Sequence, residues 1–141
     1  MLIQPLIARP VTIEGYGHYV VGYWGGFLLN TRTGNIVKGW LTKEGYRRCE
    51  LLKGKKTSLQ YIHRLVALVW CYNSDLINKD EVNHLNWIRN DCDAFNLSWC
   101  TKKRNLEYRY NYYMKQFESH QVQTTEHEPV PEISEDSDLP F

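Results

Sequence analysis

Four polar residues in the second half of the chain have types that could serve a metal-assisted hydrolytic site. Asn83 and His84 are adjacent, and Asn96 and Asn105 follow after twelve and then nine further positions. A neutral histidine, with an ordinary pKa of about 6.5, accepts a proton from water and contributes about 10²- to 10⁴-fold to a rate. Because enzymes achieve far more than this, a bound cation and good positioning must supply the rest. His84 is therefore the candidate general base of a metal-dependent site.

The three asparagines offer the other functions that such a site needs. Asn83 and Asn105 each present a carbonyl oxygen, a hard donor suited to Mg²⁺ or Mn²⁺, and are the candidate metal ligands. Asn96 carries an amide that both donates and accepts, so we expect it to fix the loop that orients His84. Ordinary structural roles stay open as alternatives: a satisfied histidine, an exposed helix asparagine, or a strand residue that points away from the site.

Two short strands and a helix are predicted to position these residues. Residues 81–85 and 97–100 are β-prone and flank a polar stretch without helical periodicity, which predicts two strands around a long loop. Thr101 is the expected N-cap of a helix that ends near Phe117. An apolar stripe at helical spacing is expected to pack as core, together with Leu97 and Trp99. The stripe consists of Leu106, Tyr110, Tyr113, Met114 and Phe117.

The segment upstream of these elements alternates β-prone runs with turn signals. The runs cover residues 18–23, 27–30, 35–41 and 46–52, and Gly25-Gly26, Gly34 and Gly45 separate them. This pattern predicts an N-terminal antiparallel sheet. The apolar period then changes to helical spacing over residues 59–70. The fold class is therefore predicted to be α+β.

Composition and charge limit the class of protein. The 141 residues, 43% of them hydrophobic, suffice for one compact domain, and no apolar run reaches the about 20 residues that cross a bilayer. We expect a cytoplasmic protein with four free thiols. All 17 Lys and Arg precede residue 119, and this basic body with interleaved aromatics suits a polyanion. Residues 119–141, with six acidic residues and three prolines, predict a disordered acidic tail.

Several short motifs occur in a fixed order around the candidate site. They read IHRLVA from residue 62, VNH from residue 82, NLSWCT from residue 96 and then Asn105, after a segment at 43–52 that contains GYR. In this order they resemble the HNH (ββα-metal) endonuclease family, especially its free-standing and intron-encoded phage homing members. The resemblance implies a metal-dependent enzyme that nicks or cleaves double-stranded DNA, in the host cytoplasm if the protein is of phage origin.

The resemblance also implies an organisation of the chain and two points of departure. We expect a β-rich DNA-contacting segment at residues 1–59, a ββα-metal nuclease unit at 60–118 and the tail at 119–141. Stricter family members carry Asp before the catalytic His, where this chain has Asn83, so one negative charge is missing from the metal site. The loop also has Asn86-Trp87 where a Gly usually follows soon after the His.

Basic residues near the motifs are expected to contact DNA. Residues 102–104 open the helix that bears Asn105, where the phosphates of a bound duplex should lie. The full expected set is Arg47, Arg64, Arg89, Lys102, Lys103 and Arg104. We expect a monomer. The alternative is a catalytically weak or inactive member of the same lineage that acts as a DNA-binding or inhibitory accessory protein because of Asn83.

Overall fold

Residues 7–125, the part of the chain that this computed structural model describes, form three small antiparallel sheets and two α-helices. Side chains are described for residues 7–120. The strands are β1 (Ala8–Pro10), β2 (Tyr19–Gly22), β3 (Leu28–Asn30), β4 (Trp40–Leu41), β5 (Arg47–Lys53), β6 (Lys56–Tyr61), β7 (Glu81–His84) and β8 (Leu97–Cys100). The helices are α1 (Ile62–Trp70) and α2 (Lys102–Thr125). Neither of these helices is long and apolar enough to cross a membrane. The fold is α+β, as the sequence predicts.

The N-terminal strands form two sheets, so the prediction of one sheet is wrong. One sheet has the order β1-β2-β3 and the other the order β4-β5-β6. Within the predicted strand at 35–41, only β4 and an isolated bridge between Ile36 and Leu29 make β-sheet pairs. Gly39 lies in the interruption with φ of +65°, and its Cα lies so close to the Arg48 carbonyl that a Cβ would not fit. The chain therefore turns between the two sheets at a position that only glycine accepts.

Strand β6 occupies residues that the sequence analysis assigned partly to a helix. It pairs with β5 from Lys53↔Lys56 to Arg48↔Tyr61, across a tight turn in which Gly54 has φ of +61°. Such turns favour positive φ because it matches the twist of the paired strands. Helix α1 consequently begins at Ile62 rather than at residue 59. Strand β1, which pairs with β2, was not predicted either.

Helix α1 contributes the centre of the hydrophobic core. Leu65 and Val66 are at most 1% exposed, which confirms the amphipathic pattern of this segment. The Trp70 indole donates a hydrogen bond of 3.0 Å to the Val21 carbonyl in β2. The Trp99 indole in β8 donates one of 3.1 Å to a backbone carbonyl of α1. The helix thus joins the first sheet to the β7–β8 hairpin.

The predicted hairpin and the cap of the following helix are confirmed. Strands β7 and β8 pair from Glu81↔Cys100 to His84↔Leu97. The Thr101 hydroxyl accepts a hydrogen bond of 3.1 Å from the backbone N–H of residue 104, three positions into α2. This is the bond that an N-cap side chain makes, and it fixes where α2 begins. The position of Asn105 relative to β7 is therefore set by local structure.

Helix α2 differs from its prediction in length and exposure. It ends at Thr125, so residues 119–125 are helical where the tail was expected to begin. The stripe predicted as core is 40–64% exposed: Leu106, Tyr110, Tyr113, Met114 and Phe117. Helical spacing of apolar residues defines a face but does not ensure that anything covers it. The described chain divides into two units between Asn105 and Leu106, and the remainder of the predicted tail, 126–141, lies outside the described residues.

The four cysteines are free thiols, and three of them are buried: Cys49, Cys92 and Cys100. Burial raises the pKa of the Cys49 and Cys92 thiols to about 11. These side chains therefore remain protonated at cellular pH and serve as small apolar groups in the core, as predicted.

Candidate active site

Strand β7 presents its side chains to two different surroundings, because successive residues of a strand point to opposite faces. Val82 and His84 share one face, on which Val82 joins the hydrophobic core. Glu81 and Asn83 share the other. On that face a carboxylate oxygen of Glu81 lies 3.5 Å from the amide nitrogen of Asn105. The candidate base therefore lies on one face of β7, and the candidate ligand Asn83 lies on the other face, where Glu81 contacts Asn105 of α2.

His84 lies at the end of β7 among aromatic rings and is 7% exposed. Its ring centroid is 4.8 Å from that of His63 and 5.9 Å from that of Tyr46. Its Nε2 is sealed from solvent and has no hydrogen-bond partner among the described residues. Burial lowers the pKa of His84 below its ordinary 6.5, the Asp91 carboxylate opposes this change, and the Arg89 guanidinium adds to it. The imidazole is therefore neutral at cellular pH, which is the form that a general base requires.

His63 and Tyr46 line the buried side of His84. The Tyr46 ring stacks on His63 with centroids 5.3 Å apart, and the Arg89 guanidinium lies 5.1 Å from the Tyr46 centroid. Burial, together with the nearby His84 and Arg64, lowers the pKa of His63 to about 3. His63 consequently stays uncharged and places no positive charge beside His84.

Asn96 closes the loop between β7 and β8 with both ends of its amide. Its Oδ1 accepts a hydrogen bond of 3.0 Å from the backbone N–H of Asn86. Its Nδ2 donates to the Asn86 side-chain oxygen at 2.9 Å and to the Asp91 backbone carbonyl at 3.2 Å. The Asn86 amide in turn donates to the Asp91 carboxylate at 2.6 Å. Because this loop follows His84 directly, the network restrains the residues that set the orientation of the imidazole.

The loop contains a second point of constraint at Trp87. Its φ is +65°, and it is the one non-glycine residue with positive φ within residues 7–125. Its backbone N–H donates a hydrogen bond of 3.1 Å to the His84 carbonyl. This left-handed conformation costs a non-glycine residue about 1 kcal/mol or more. Glycine adopts a positive φ without steric cost, which suits the Gly usually found soon after the histidine in the family that the motifs resemble. In this chain Trp87 adopts the positive φ although it carries a Cβ.

The oxygen donors on the other face of β7 fit a hard divalent cation. Asn83 is 5% exposed and carries a neutral amide oxygen. Glu81 and Asn105 lie on the same face, and no group of three His, Cys, Asp or Glu suited to a metal occurs in the described part of the chain. Amide and carboxylate oxygens favour Mg²⁺ or Mn²⁺ over softer metals.

The residues expected to contact DNA fall into two groups. Arg47, Arg64 and Arg89 each donate to a backbone carbonyl of the protein, at 2.7 Å for Arg64 and 2.8 Å for Arg89. These three guanidiniums are half-buried and also hold the fold together. The other group is exposed on the first turn of α2 and consists of Lys102, Lys103 and Arg104.

Three residues that lie at this site in the structure were not predicted as site residues from the sequence. Tyr46 stands in the GYR segment and His63 in the IHRLVA motif, so both belong to the segments that carry the family resemblance. Glu81 had a weaker signal, namely its position two residues before Asn83 on a predicted strand. Its proximity to Asn105 depends on the hairpin register and on the Thr101 cap.

Comparisons with known proteins identify relatives of this arrangement. No family model matches the chain. It is 36% identical over 98 residues to DNA endonuclease I-HmuI of Bacillus phage SP01, over 67% of this chain and 53% of that protein. It is 36% identical over 104 residues to an uncharacterised HNH endonuclease of Acanthamoeba polyphaga mimivirus, over 72% of this chain and 25% of that protein. The chain thus spans about half of the phage relative and a quarter of the viral one.

A solved structure shows the same relationship. It is described as "DNA binding and cleavage by the HNH homing endonuclease I-HmuI" and matches with a TM-score of 0.68 and 25% identity, over 84% of this chain and 68% of that one. The sequence and structural matches therefore concern the same relative. The chain belongs to the HNH endonuclease family and is related to the phage homing endonuclease I-HmuI.

Proposed function

We propose that this chain is a divalent-metal-dependent endonuclease that hydrolyses phosphodiester bonds of double-stranded DNA. Its ββα-metal unit would consist of β7, β8 and the first turn of α2. The observation that carries the proposal is the position of His84: a buried, neutral imidazole on a strand whose opposite face carries oxygen donors. This combination supplies a base and a cation site within one short hairpin and helix.

In this proposal His84 takes a proton from the attacking water at Nδ1, because its Nε2 is sealed from solvent. Its lowered pKa keeps the ring unprotonated, and the wall formed by His63 and Tyr46 keeps it in one place. Asn96 acts indirectly, because its hydrogen bonds restrain the loop that follows His84. The loop network thus contributes orientation rather than chemistry.

Asn83 and Asn105 would hold the cation through their amide oxygens. Bound there, the cation would supply charge stabilisation at the leaving 3′ oxygen. Both side chains are neutral, so their own contribution to affinity is smaller than that of carboxylates. Phosphate oxygens and water would complete the octahedral arrangement that Mg²⁺ prefers.

Double-stranded DNA is the proposed partner. The phage relative is described as binding and cleaving DNA. In this chain, residues 1–118 carry 17 basic and ten acidic side chains, and Lys102, Lys103 and Arg104 are exposed beside Asn105. We propose that these three contact the phosphates near the cleaved bond, with Arg47, Arg64 and Arg89 contributing from the remainder of the surface. A homing-type role in a phage follows from the same relative.

A second candidate function rests on Asn83. Without a carboxylate at this position the cation site is weaker, so the chain would instead be a DNA-binding accessory with little activity. Incubation of supercoiled plasmid with the protein separates the two candidates. The endonuclease proposal predicts open-circular or linear product with Mg²⁺ or Mn²⁺ and none with EDTA. Binding of the plasmid without either product at any metal concentration would favour the accessory role.

A further inference from the structure

The two candidate ligands, Asn83 and Asn105, bring no negative charge to the cation site. Asn83 and Asn105 are neutral, and Asn83 stands where stricter family members carry Asp. Charge count among the ligands is a main determinant of divalent-cation affinity. A functional site with this pair would therefore need an anionic group from another position on the same face.

Glu81 occupies that face. It is two residues before Asn83 on β7, so both side chains point to the same side of the strand. Its Oε2 accepts a hydrogen bond of 3.5 Å from the Nδ2 of Asn105. Because the oxygen and nitrogen of an amide diverge from one carbon, this contact directs the Asn105 oxygen away from Glu81 and leaves it free for another partner.

Two of the three other carboxylates close to β7 in the sequence or in the loop after it have partners elsewhere. Asp91 accepts from the Asn86 amide at 2.6 Å, in the loop network beside His84. Asp93 accepts from the backbone N–H of Gly25. Asp80 is exposed at the position before β7. Among the described residues, Glu81 is the carboxylate in contact with a candidate ligand.

We propose that Glu81 is the anionic member of the divalent-cation site: it holds Asn105 in the ligating orientation and supplies the negative charge that is absent at Asn83. This inference rests on the proposed function, since it presumes a cation on this face of β7. Groups that orient metal ligands typically change metal affinity by about 10- to 100-fold when they are removed. Glu81 is expected to lie in that range.

Mn²⁺ binding to the full chain without DNA tests the proposal, with free Mn²⁺ followed by electron paramagnetic resonance. Glu81→Gln retains the shape and an acceptor oxygen but removes the charge, and should weaken Mn²⁺ binding about tenfold or more. Asp80→Asn removes a charge one residue away and should change affinity by less than about twofold, because an exposed carboxylate is screened. The double variant Glu81→Gln/Asn83→Asp should return to within about threefold of the parent, since it moves the charge to the position that stricter relatives use.

Three results would overturn the proposal: unchanged affinity in Glu81→Gln, an equal loss in Asp80→Asn, or no recovery in the double variant. Thermal unfolding without metal checks that each variant folds, and the recovery of the double variant excludes a loss caused by misfolding. A failure of the proposed function gives a different pattern. In that case the parent binds Mn²⁺, Glu81→Gln weakens this binding, and the parent still cleaves no plasmid. If the parent cleaves plasmid and Glu81→Gln binds Mn²⁺ as tightly as the parent, only the role of Glu81 is contradicted.

Discussion

The imidazole rings of His63 and His84 lie with their centroids 4.8 Å apart, and both also contact Tyr46. His63 is on α1 and His84 is at the end of β7, so the contact joins the core helix to the candidate site. Nδ1 of His63 and Nε2 of His84 are both buried without a hydrogen-bond partner among the described residues. Protonation of either ring would place a charge in this buried contact, so burial favours the neutral form of both rings.

This contact predicts a specific loss of stability in acid. The pKa of His63 is about 3 in the folded chain, against an ordinary 6.5, so the unfolded chain binds the proton more readily between these values. Stability due to a neutral His63 is therefore complete above about pH 6.5 and declines as the pH falls toward 3. When the pH falls from about 7.5 to 4.5, the free energy of unfolding should decrease by about 2 kcal/mol less in His63→Phe than in the parent. Urea unfolding at the two pH values measures this difference.

The matched control for this experiment is His18→Phe, which makes the same substitution outside the contact between His63 and His84. Identical pH dependence of the parent and His63→Phe would mean that His63 is not held neutral by the fold.

Asn96→Ala should loosen the loop after β7 and reduce nicking, with little effect on DNA binding. The substitution removes the part-buried hydrogen bonds to Asn86 and to the Asp91 carbonyl, at a cost of about 1 kcal/mol for each bond. Plasmid nicking should fall at least tenfold, because the loop no longer restrains His84, while duplex affinity should change little. Hydrogen exchange of the Asn86 backbone amide should accelerate. Asn78→Ala, whose exposed amide contacts Asp75, is the control, and equal effects of the two would reject the positioning role of Asn96.

Asn83→Asp should alter the metal dependence of nicking. If Asn83 faces the cation, the added carboxylate raises metal affinity, and the rate at limiting Mg²⁺ should increase. At saturating Mg²⁺ the gain should shrink or reverse, because the extra charge lowers the Lewis acidity of the ion. Asn105→Ala should reduce the rate at every concentration. Superimposable Mg²⁺ titrations of the parent and Asn83→Asp would place Asn83 outside the site.

Duplex binding should depend steeply on salt. A chain that neutralises about five phosphates has a slope of log affinity against log salt concentration of about −4.5. Lys102→Gln should make the slope shallower by about 0.9 if the first turn of α2 contacts the backbone. Lys79→Gln is the control, because the Lys79 ammonium is hydrogen-bonded to Ser74 at 2.8 Å. Fluorescence anisotropy of a labelled duplex measures both slopes, and a flat response of the parent would argue against DNA as the partner.

The parts of the structure that the sequence predicted depend on local signals. The β7–β8 hairpin and the start of α2 follow from strand alternation and from the Thr101 cap, so the spacing of Asn83, His84 and Asn105 could be converted into positions. The two N-terminal sheets could not be predicted, because strand pairing is non-local and β6 carries apolar residues at spacing that also suits a helix start.

Contacts between distant segments were also beyond the sequence. The approach of Tyr46 to His84 joins the residue before β5 to the end of β7, and no periodicity encodes it. The prediction that the apolar stripe of α2 is buried was wrong, because the stripe is exposed. Helical spacing shows that apolar residues share one face of a helix, but it does not specify an element that packs against this face.

The most direct test of the account is a paired measurement on His84→Ala: plasmid nicking with Mg²⁺ or Mn²⁺, and affinity for a duplex of the same sequence. His84 is a base that makes no backbone contact with DNA in this account, so nicking should fall by about 10²-fold or more while affinity stays within a few-fold of the parent. Unchanged nicking, or loss of nicking and binding together in a variant that unfolds at lower temperature, would contradict the assignment and make His84 a structural histidine.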